Sequence, residues 1–198
     1  MSSQPQPRPI TPHEYLERER RAETKSEFYP GEIFAMSGAS RRHNRIATNC
    51  IAAFANALRH RDCDVFGSDM RIATTASGLY TYPDLSLSCG EPQFVDHQFD
   101  TLLNPILIIE VLSPSTKDCD RGSKFELYRS IPSLRDYILI AQDHIHVEHF
   151  ARQPNSDWLL HESNHLEDTL VIPSLELAIP LTEIYRRVDF PTSLPDTP

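Results

Sequence analysis

The stretch ILIIEVLSPST, residues 106–116, is aliphatic on both sides of a single carboxylate. Alternate residues of a strand face the same way. Read as a strand, Ile106, Ile108, Glu110 and Leu112 share one face, and Leu107, Ile109 and Val111 share the other. Both faces are apolar except at the glutamate, the pattern of a central strand covered on each side. An unpaired charge in such a place costs several kcal/mol or shifts its pKa until it neutralises. Glu110 therefore needs a cation, a path to water, or a proton.

The rest of the chain bounds what surrounds this strand. A length of 198 residues suits one domain with a real core. No apolar run approaches the ~20 residues needed to span a bilayer, and MSSQPQPRPI lacks the apolar stretch of a signal peptide. The expected setting is cytoplasmic, away from any membrane. Cys50, Cys63, Cys89 and Cys119 are scattered without a C-x-x-C pair, which predicts four reduced thiols in or near the core. The net charge of −9 argues against non-specific nucleic-acid binding. Local basic clusters survive that balance, one at Arg41, Arg42 and Arg45 and one at Lys117, Arg121 and Lys124. Taken alone, each is more simply a solvated surface.

Residues 1–10 and 188–198 are polar and Pro-rich and read as flexible tails flanking a single domain over 11–187. TPHEYLERERR (11–21) opens a helix with a T-x-x-E capping box and Pro12 in the first turn. EFYPGEIFAM (27–36) reads as a hairpin about Pro30-Gly31. Residues 39–60 read as a long helix capped by Ser40, with Ile46, Cys50, Ile51, Phe54 and Leu58 at helical spacing. VFGSDMRIATT and LYTYPDLSLS, within 64–88, read as two strands joined at Ala76-Ser77-Gly78. A helix over 120–130 follows, capped by Asp118 or Asp120. Strands are predicted at 135–141, 144–151, 157–162 and 169–173, and a helical turn at 181–185. The sum is a mixed α/β domain with a sheet flanked by helices.

In TYPDLSLS, Tyr82, Asp84, Ser86 and Ser88 share a face. If this strand neighbours 106–112, Asp84 and Glu110 come within a few ångströms. Two such carboxylates repel unless a cation sits between them. Oxygen ligands with room for water suit Mg²⁺ or Mn²⁺. Lys124, one turn into the next helix, is the nearest candidate for a positive group and shares a helix face with Tyr128. An ordinary half-exposed glutamate salt-bridged to Lys124 accounts for the spacing equally well.

YPDLSL, ILIIEVLSPSTKDCDRGSKFELYRS and DYILI, preceded by KSEFYPGEIFAMSGASRRHN, together resemble a bacterial restriction-endonuclease family with members of unassigned function. That family lies within the PD-(D/E)XK nuclease superfamily, and the resemblance spans residues 11–187. It implies a restriction-endonuclease-like core and Mg²⁺- or Mn²⁺-assisted hydrolysis of DNA, with Asp84 and Glu110 as the paired acids and the Val111 carbonyl as a further metal ligand. Leu112 stands where the motif places its lysine, so the resemblance points to Lys124 on the following helix as the replacement. It also implies roles for Glu32 in the first hairpin and His43 at the start of the long helix. Arg41, Arg42, Arg45, Lys117 and Arg121 are the expected DNA contacts, since phosphate contacts position the duplex, and a homodimer would place one site on each strand. A non-catalytic interaction module that keeps the fold is the alternative, favoured by the displaced lysine and the acidic net charge.

HESNH (161–165) matches the H-E-x-x-H zinc-protease pattern, but that chemistry needs a helix, and DWLLHE reads as a strand. HIHVEH (144–149) puts His144, His146 and Glu148 on one strand face, most simply a polar outer surface.

Overall fold

A computed structural model of the chain describes residues 8–114 and 116–190. Helix α1 (Pro12–Glu19) leads into the hairpin β1 (Ser26–Phe28) and β2 (Ile33–Ala35), and then the long helix α2 (Arg41–Leu58). Strands β3 (Cys63–Gly67), β4 (Arg71–Thr74), β5 (Leu79–Thr81), β6 (Leu85–Cys89), β7 (Thr101–Leu102) and β8 (Leu107–Leu112) follow. A helical run then passes through α3 (Lys117–Cys119), a π-helical turn (Asp120–Lys124) and α4 (Phe125–Tyr128). Strands β9 (Asp136–Ala141), β10 (Val147–Arg152), β11 (Trp158–Ser163), β12 (Thr169–Ile172) and β13 (Leu177–Pro180) precede α5 (Leu181–Ile184).

Six strands form the principal sheet in the order β11-β10-β9-β8-β6-β3. Its one parallel pair is β8 with β9, joined by the helical crossover that such a pair requires. β8 is central, and all six of its residues are buried, as its two apolar faces require. Leu107, Ile109 and Val111 pack toward Ile46, Cys50, Phe54 and Leu58 of α2. Ile108 and Leu112 pack on the opposite face with Tyr128, Tyr137 and Leu139. A second sheet of order β2-β1-β5-β4-β7 carries the first hairpin. β12 pairs with β13 as a small third sheet.

The local signals at the start of the chain act as read. Thr11 caps α1 in a complete capping box with Glu14. Ser40 caps α2 by accepting from the His43 N–H at 3.1 Å. Gly31 turns the first hairpin at φ +90°, where a Cβ would meet Pro9 at 2.9 Å. Residues 1–7 and 191–198 lie outside the described residues, whereas Ile10 packs beside Tyr15 and Phe28, and Val188 and Phe190 pack on the main core.

Several expectations need correction. The two strands predicted within 64–88 are four, shared between two sheets. A turn closed by the Met70 N–H to the Gly67 carbonyl divides the first. Tyr82-Pro83-Asp84 divides the second, because Pro83 has no N–H for a ladder. β3 and β6 therefore join the large sheet, and β4 and β5 join the other. The helix predicted from 120 begins at Lys117, with Thr116 at the cap position and no side-chain cap. Asp120 does not cap it but turns inward. Strand β10 begins only at Val147, so His144 and His146 precede it, with the His146 Nε2 at 3.1 Å from Glu148 Oε1. His161 and Glu162 lie on strand β11, so the H-E-x-x-H match lacks its helix. β7 and β13 were not anticipated.

The cysteines are also not four free thiols. Cys63 and Cys89 face each other across β3 and β6, with Cα atoms 4.0 Å apart, and form a disulfide. Cys50 is free and buried, with its thiol pushed up to about 12 by burial; Cys119 is free and exposed. The strands within 64–88 are legible in the sequence, but register decides that these two side chains meet. The bridge spans 26 residues of sequence, and a cross-link of that span contributes about 3.5 kcal/mol by restricting the unfolded chain. Replacing Cys63 and Cys89 together by serine is expected to lower the thermal midpoint by several degrees, and Cys119→Ser to leave it in place. Equal midpoints for the two variants would count against a bridge in solution.

Candidate active site

The β6–β8 ladder sets the geometry. Leu85 pairs with Ile109 and Ser86 with Ile108, so the pairing brings the chain before β6 to the end of β8 that carries Glu110 and Val111. Asp84 lies in the bend just before β6, and its Oδ2 accepts the Val111 N–H at 2.7 Å. Asp84 and Glu110 thus both stand at one end of β8, near enough for the Asp84 charge to act on the Glu110 carboxyl.

His43 joins them from α2. Its Nε2 lies 3.2 Å from Asp84 Oδ2, and its buried Nδ1 has no hydrogen-bond partner among the described residues. Ser40 donates to Gln142, whose amide in turn donates to the Leu112 carbonyl at 2.9 Å. Gln142 thereby ties the start of α2 to the end of β8. This residue was not singled out in the sequence, because nothing local marks a glutamine at the end of β9 as a tether.

Glu110 is 5% exposed. Its Oε1 accepts from the Tyr128 hydroxyl at 2.9 Å and from Lys124 Nζ at 3.4 Å. Lys124 Nζ also lies 3.0 Å from Glu27 Oε1 and 3.5 Å from Asp120 Oδ1. The π-helical turn Asp120–Lys124 puts both of its end residues on the pocket. Such turns recur at functional sites because the extra residue re-aims side chains. Glu27 is brought in by the second sheet, where the Phe28–Tyr80 pair sets Glu27 opposite Thr81, and Thr81 donates to it.

The first hairpin therefore sends Glu27 to Lys124, not Glu32. Glu32 is exposed at the hairpin turn. Period-two reading of a three-residue strand could not choose between them, since the choice depends on the β1–β5 pairing. Of the expected basic contacts, Lys117 is exposed at the start of α3, and Arg42 is partly buried. Arg121 is engaged by Glu148, 2.8 Å from its Nε. Arg41 and Arg45 line a depression on another side of α2 from His43.

Beneath the pocket runs a polar network. The Tyr82 hydroxyl accepts from Arg71 at 2.7 Å and donates to Glu19 at 3.0 Å. Glu19 in turn accepts the Ser26 N–H at 2.8 Å. Arg71 reaches Asp100 at 3.1 Å, and Arg20 closes on Asp100 and Asp96. Tyr82 is two residues before Asp84, and Ser26 is next to Glu27. One network thus braces the segments that carry two of the acids.

The electrostatics follow from crowding. Burial pushes the Glu110 carboxyl up to about 8, Lys124 opposes the rise, and Asp120, Asp84 and Glu27 add to it. Burial likewise raises Asp120. Burial pulls the Lys124 ammonium down, but Glu110, Glu27 and Asp120 outweigh it and hold it well above the ordinary lysine range. Burial, reinforced by Glu110, keeps the Tyr128 phenol protonated as a donor. Three carboxyl groups share the one Lys124 ammonium, and Asp84 adds a fourth acid nearby. Asp84, Glu110 and the Val111 carbonyl are hard oxygen donors that could hold a divalent cation. Among the described residues, no group of three or more His, Cys, Asp or Glu side chains is placed to do so alone. That donor set fits Mg²⁺ or Mn²⁺, since Mg²⁺ keeps several waters and takes only one or two carboxylates.

This fold, with paired acids at the end of a central strand, defines the class of restriction-endonuclease-like proteins. The model of the Uma2 family, described as "Putative restriction endonuclease", matches residues 12–182, and the chain belongs to that family. Two relatives from Synechocystis sp. carry only the names uncharacterized protein slr1290 and uncharacterized protein sll1609. The first is 36% identical over 181 residues, covering 91% of this chain and 94% of the relative. The second is 42% identical over 153 residues, covering 77% and 86%. A crystal structure titled as a "putative nuclease belonging to DUF820", from Anabaena variabilis, superposes with a TM-score of 0.73 at 19% identity. That match covers 89% of this chain and 98% of the other and supports the shared fold.

The raised Glu110 carboxyl has a consequence for stability. Unfolded, the group releases its proton near its ordinary 4.5; folded, it keeps the proton to about 8. Folding takes up a proton between those values, so the contribution of Glu110 to stability is fully present below 4.5 and is lost as pH rises to 8. Lys124 stays charged throughout, and Asp120 adds to the loss at its lower end. Denaturant titrations from pH 5 to 8 without metal are expected to show this decline in the native chain and a flatter curve for Glu110→Gln. Parallel curves would show that Glu110 ionises normally.

Proposed function

We propose that the chain is a metal-dependent endonuclease acting on DNA, with Asp84, Glu110 and the Val111 carbonyl as the cation site. The observation that carries this reading is Asp84 Oδ2 accepting the N–H of Val111, the residue after Glu110, at 2.7 Å, with the Lys124 ammonium 3.4 Å from Glu110. A bound Mg²⁺ or Mn²⁺ would supply Lewis acidity at a phosphoryl oxygen and a water of lowered pKa.

The chain's own groups supply the rest. Lys124 holds a fixed positive charge beside the reacting position, where it offsets negative charge developing on the phosphoryl oxygens. Glu27 and Asp120 hold that ammonium in place, and Tyr128 orients Glu110. His43 lies against Asp84 and is placed to orient that carboxylate or to exchange a proton at its oxygen. Lys117, exposed at the start of the same helical run, is positioned to meet a flanking phosphate. A homodimer would present one pocket to each strand of a duplex.

A non-catalytic module is the second reading. It is favoured by the sharing of Lys124 among three carboxylates, which leaves its ammonium heavily engaged.

Plasmid DNA with Mg²⁺ or Mn²⁺ tests the first reading. The native chain is expected to nick or linearise it, and Asp84→Asn and Glu110→Gln to slow cleavage at least 100-fold. Lys124→Gln is expected to cost roughly 100- to 1,000-fold, the scale of losing one charge-stabilising donor. Cleavage indifferent to Asp84 and Glu110 would remove the proposed site. Equal Mn²⁺ affinity with and without the two acids, in a protein that does not cleave, would favour the module.

A further inference from the structure

The first hairpin brings more than Glu27 to the acidic pocket. Glu27 of β1 pairs with Phe34 of β2, and opposed residues of an antiparallel pair leave the sheet on one face, with Cβ atoms about 5 Å apart. The other face of the hairpin is already covered, because the next pair, Phe28 and Ile33, packs with Tyr15 and Leu16 of α1. The Glu27 side faces the pocket. Glu27 reaches the Lys124 ammonium at 3.0 Å, and Tyr29, two residues on, packs with the cluster that holds Tyr128. Phe34 therefore stands on the pocket side of the hairpin, one strand farther out than Glu27.

Phe34 is 48% exposed. A single exposed apolar side chain is ordinary on a protein surface; the place of this one is not. Phe99, the other exposed phenylalanine among the described residues, rests edge-on against Phe94 at 5.4 Å, whereas Phe34 has no ring against it among those residues. β2 is the edge strand of its sheet, so no further strand covers that side. The row from Thr81 through Glu27 to Phe34 passes from buried to open. Three acids share the one ammonium beside this row, so the pocket offers a polyanion little electrostatic attraction. A flat apolar ring at its mouth supplies affinity of another kind.

Resting on the nuclease reading, we infer that Phe34 is a stacking platform for an unpaired base, and that the substrate is single-stranded DNA or a strand unpaired beside the cut. Every base has a π-face, so stacking on an aromatic ring holds a strand with little regard for its sequence. Within a duplex the neighbouring bases cover both faces, and a base must leave the stack to meet a protein ring. With a phosphate at the Lys124 ammonium, an adjoining base reaches Phe34 across Glu27. An open strand presents such a base without the cost of unstacking, and the ring thereby selects it over a duplex.

The test uses the full chain with Ca²⁺ and a fluorescein-labelled 12-base DNA strand followed by anisotropy, the strand being checked for integrity after each titration. Twin strands carry 2-aminopurine at successive positions, a base whose fluorescence falls when it stacks. The native chain is expected to bind the strand about tenfold or more tighter than the matching duplex and to quench one of the twins. Phe34→Ala is expected to weaken strand binding roughly 5- to 100-fold, the scale of one base on one ring, and to abolish that quenching. The slope of log K against log salt should stay as it was, since no cation is removed. Phe34→Trp should keep affinity and quenching, Phe34→Leu should keep neither, and Phe99→Ala should change nothing. Cleavage of strand and duplex with Mn²⁺ separates this inference from the reading beneath it. Stacking that depends on Phe34 in a chain that never cleaves would uphold the platform and remove the nuclease. Cleavage that needs Asp84 and Glu110 but treats strand and duplex alike would uphold the nuclease and overturn the platform. A Phe34→Ala variant that melts like the native chain and binds the strand undiminished would also overturn it, as would failure of the native chain to bind the strand.

Discussion

The ammonium of Lys124 holds together the densest part of the molecule. Glu27 from the second sheet, Glu110 from the central strand and Asp120 from the π-helical turn all lie within 3.5 Å of it. Burying three carboxyl groups around one cation is eased by a raised Glu110 carboxyl and by the Tyr128 and Thr81 hydroxyls, which donate to the Glu110 and Glu27 Oε1 atoms that face the ammonium. Three separately folded pieces of chain are thereby bound to one point. Loss of the ammonium would leave acids that neither water nor the apolar core can accommodate.

The two larger sheets meet at this point. The segment Tyr82-Pro83-Asp84 leaves one sheet and enters the other, and proline breaks the ladder between them. Tyr82 anchors the crossing through Arg71 and Glu19, and Asp84 anchors it through the Val111 N–H. Strand pairing and side-chain polarity therefore serve one end, the fixed placement of acids from different sheets around a common space. Rigid elements hold such constellations more precisely than loops do.

Two surfaces of α2 carry opposite chemistry. One side presents His43 to the acidic pocket and an apolar stripe to the core. The other presents Arg41 and Arg45, with Arg186 joined to them through Asn49.

The sequence alone determined the central strand, because only a strand covered on both faces explains ILIIEVL. It also determined the capped helices α1 and α2 and the first hairpin, whose signals are local hydrogen bonds and turn chemistry. Asp84, Glu110 and Lys124 could be singled out because a buried carboxylate demands explanation wherever it occurs. Tertiary structure alone decided that Glu27 rather than Glu32 reaches Lys124, that Gln142 tethers α2 to β8, that Cys63 meets Cys89, and that Arg186 joins Arg41 and Arg45. Each of these depends on register or on contact between segments far apart in the chain. The physical reason is that periodicity tells which way a side chain leaves its own element, while its neighbour is set by how elements pair.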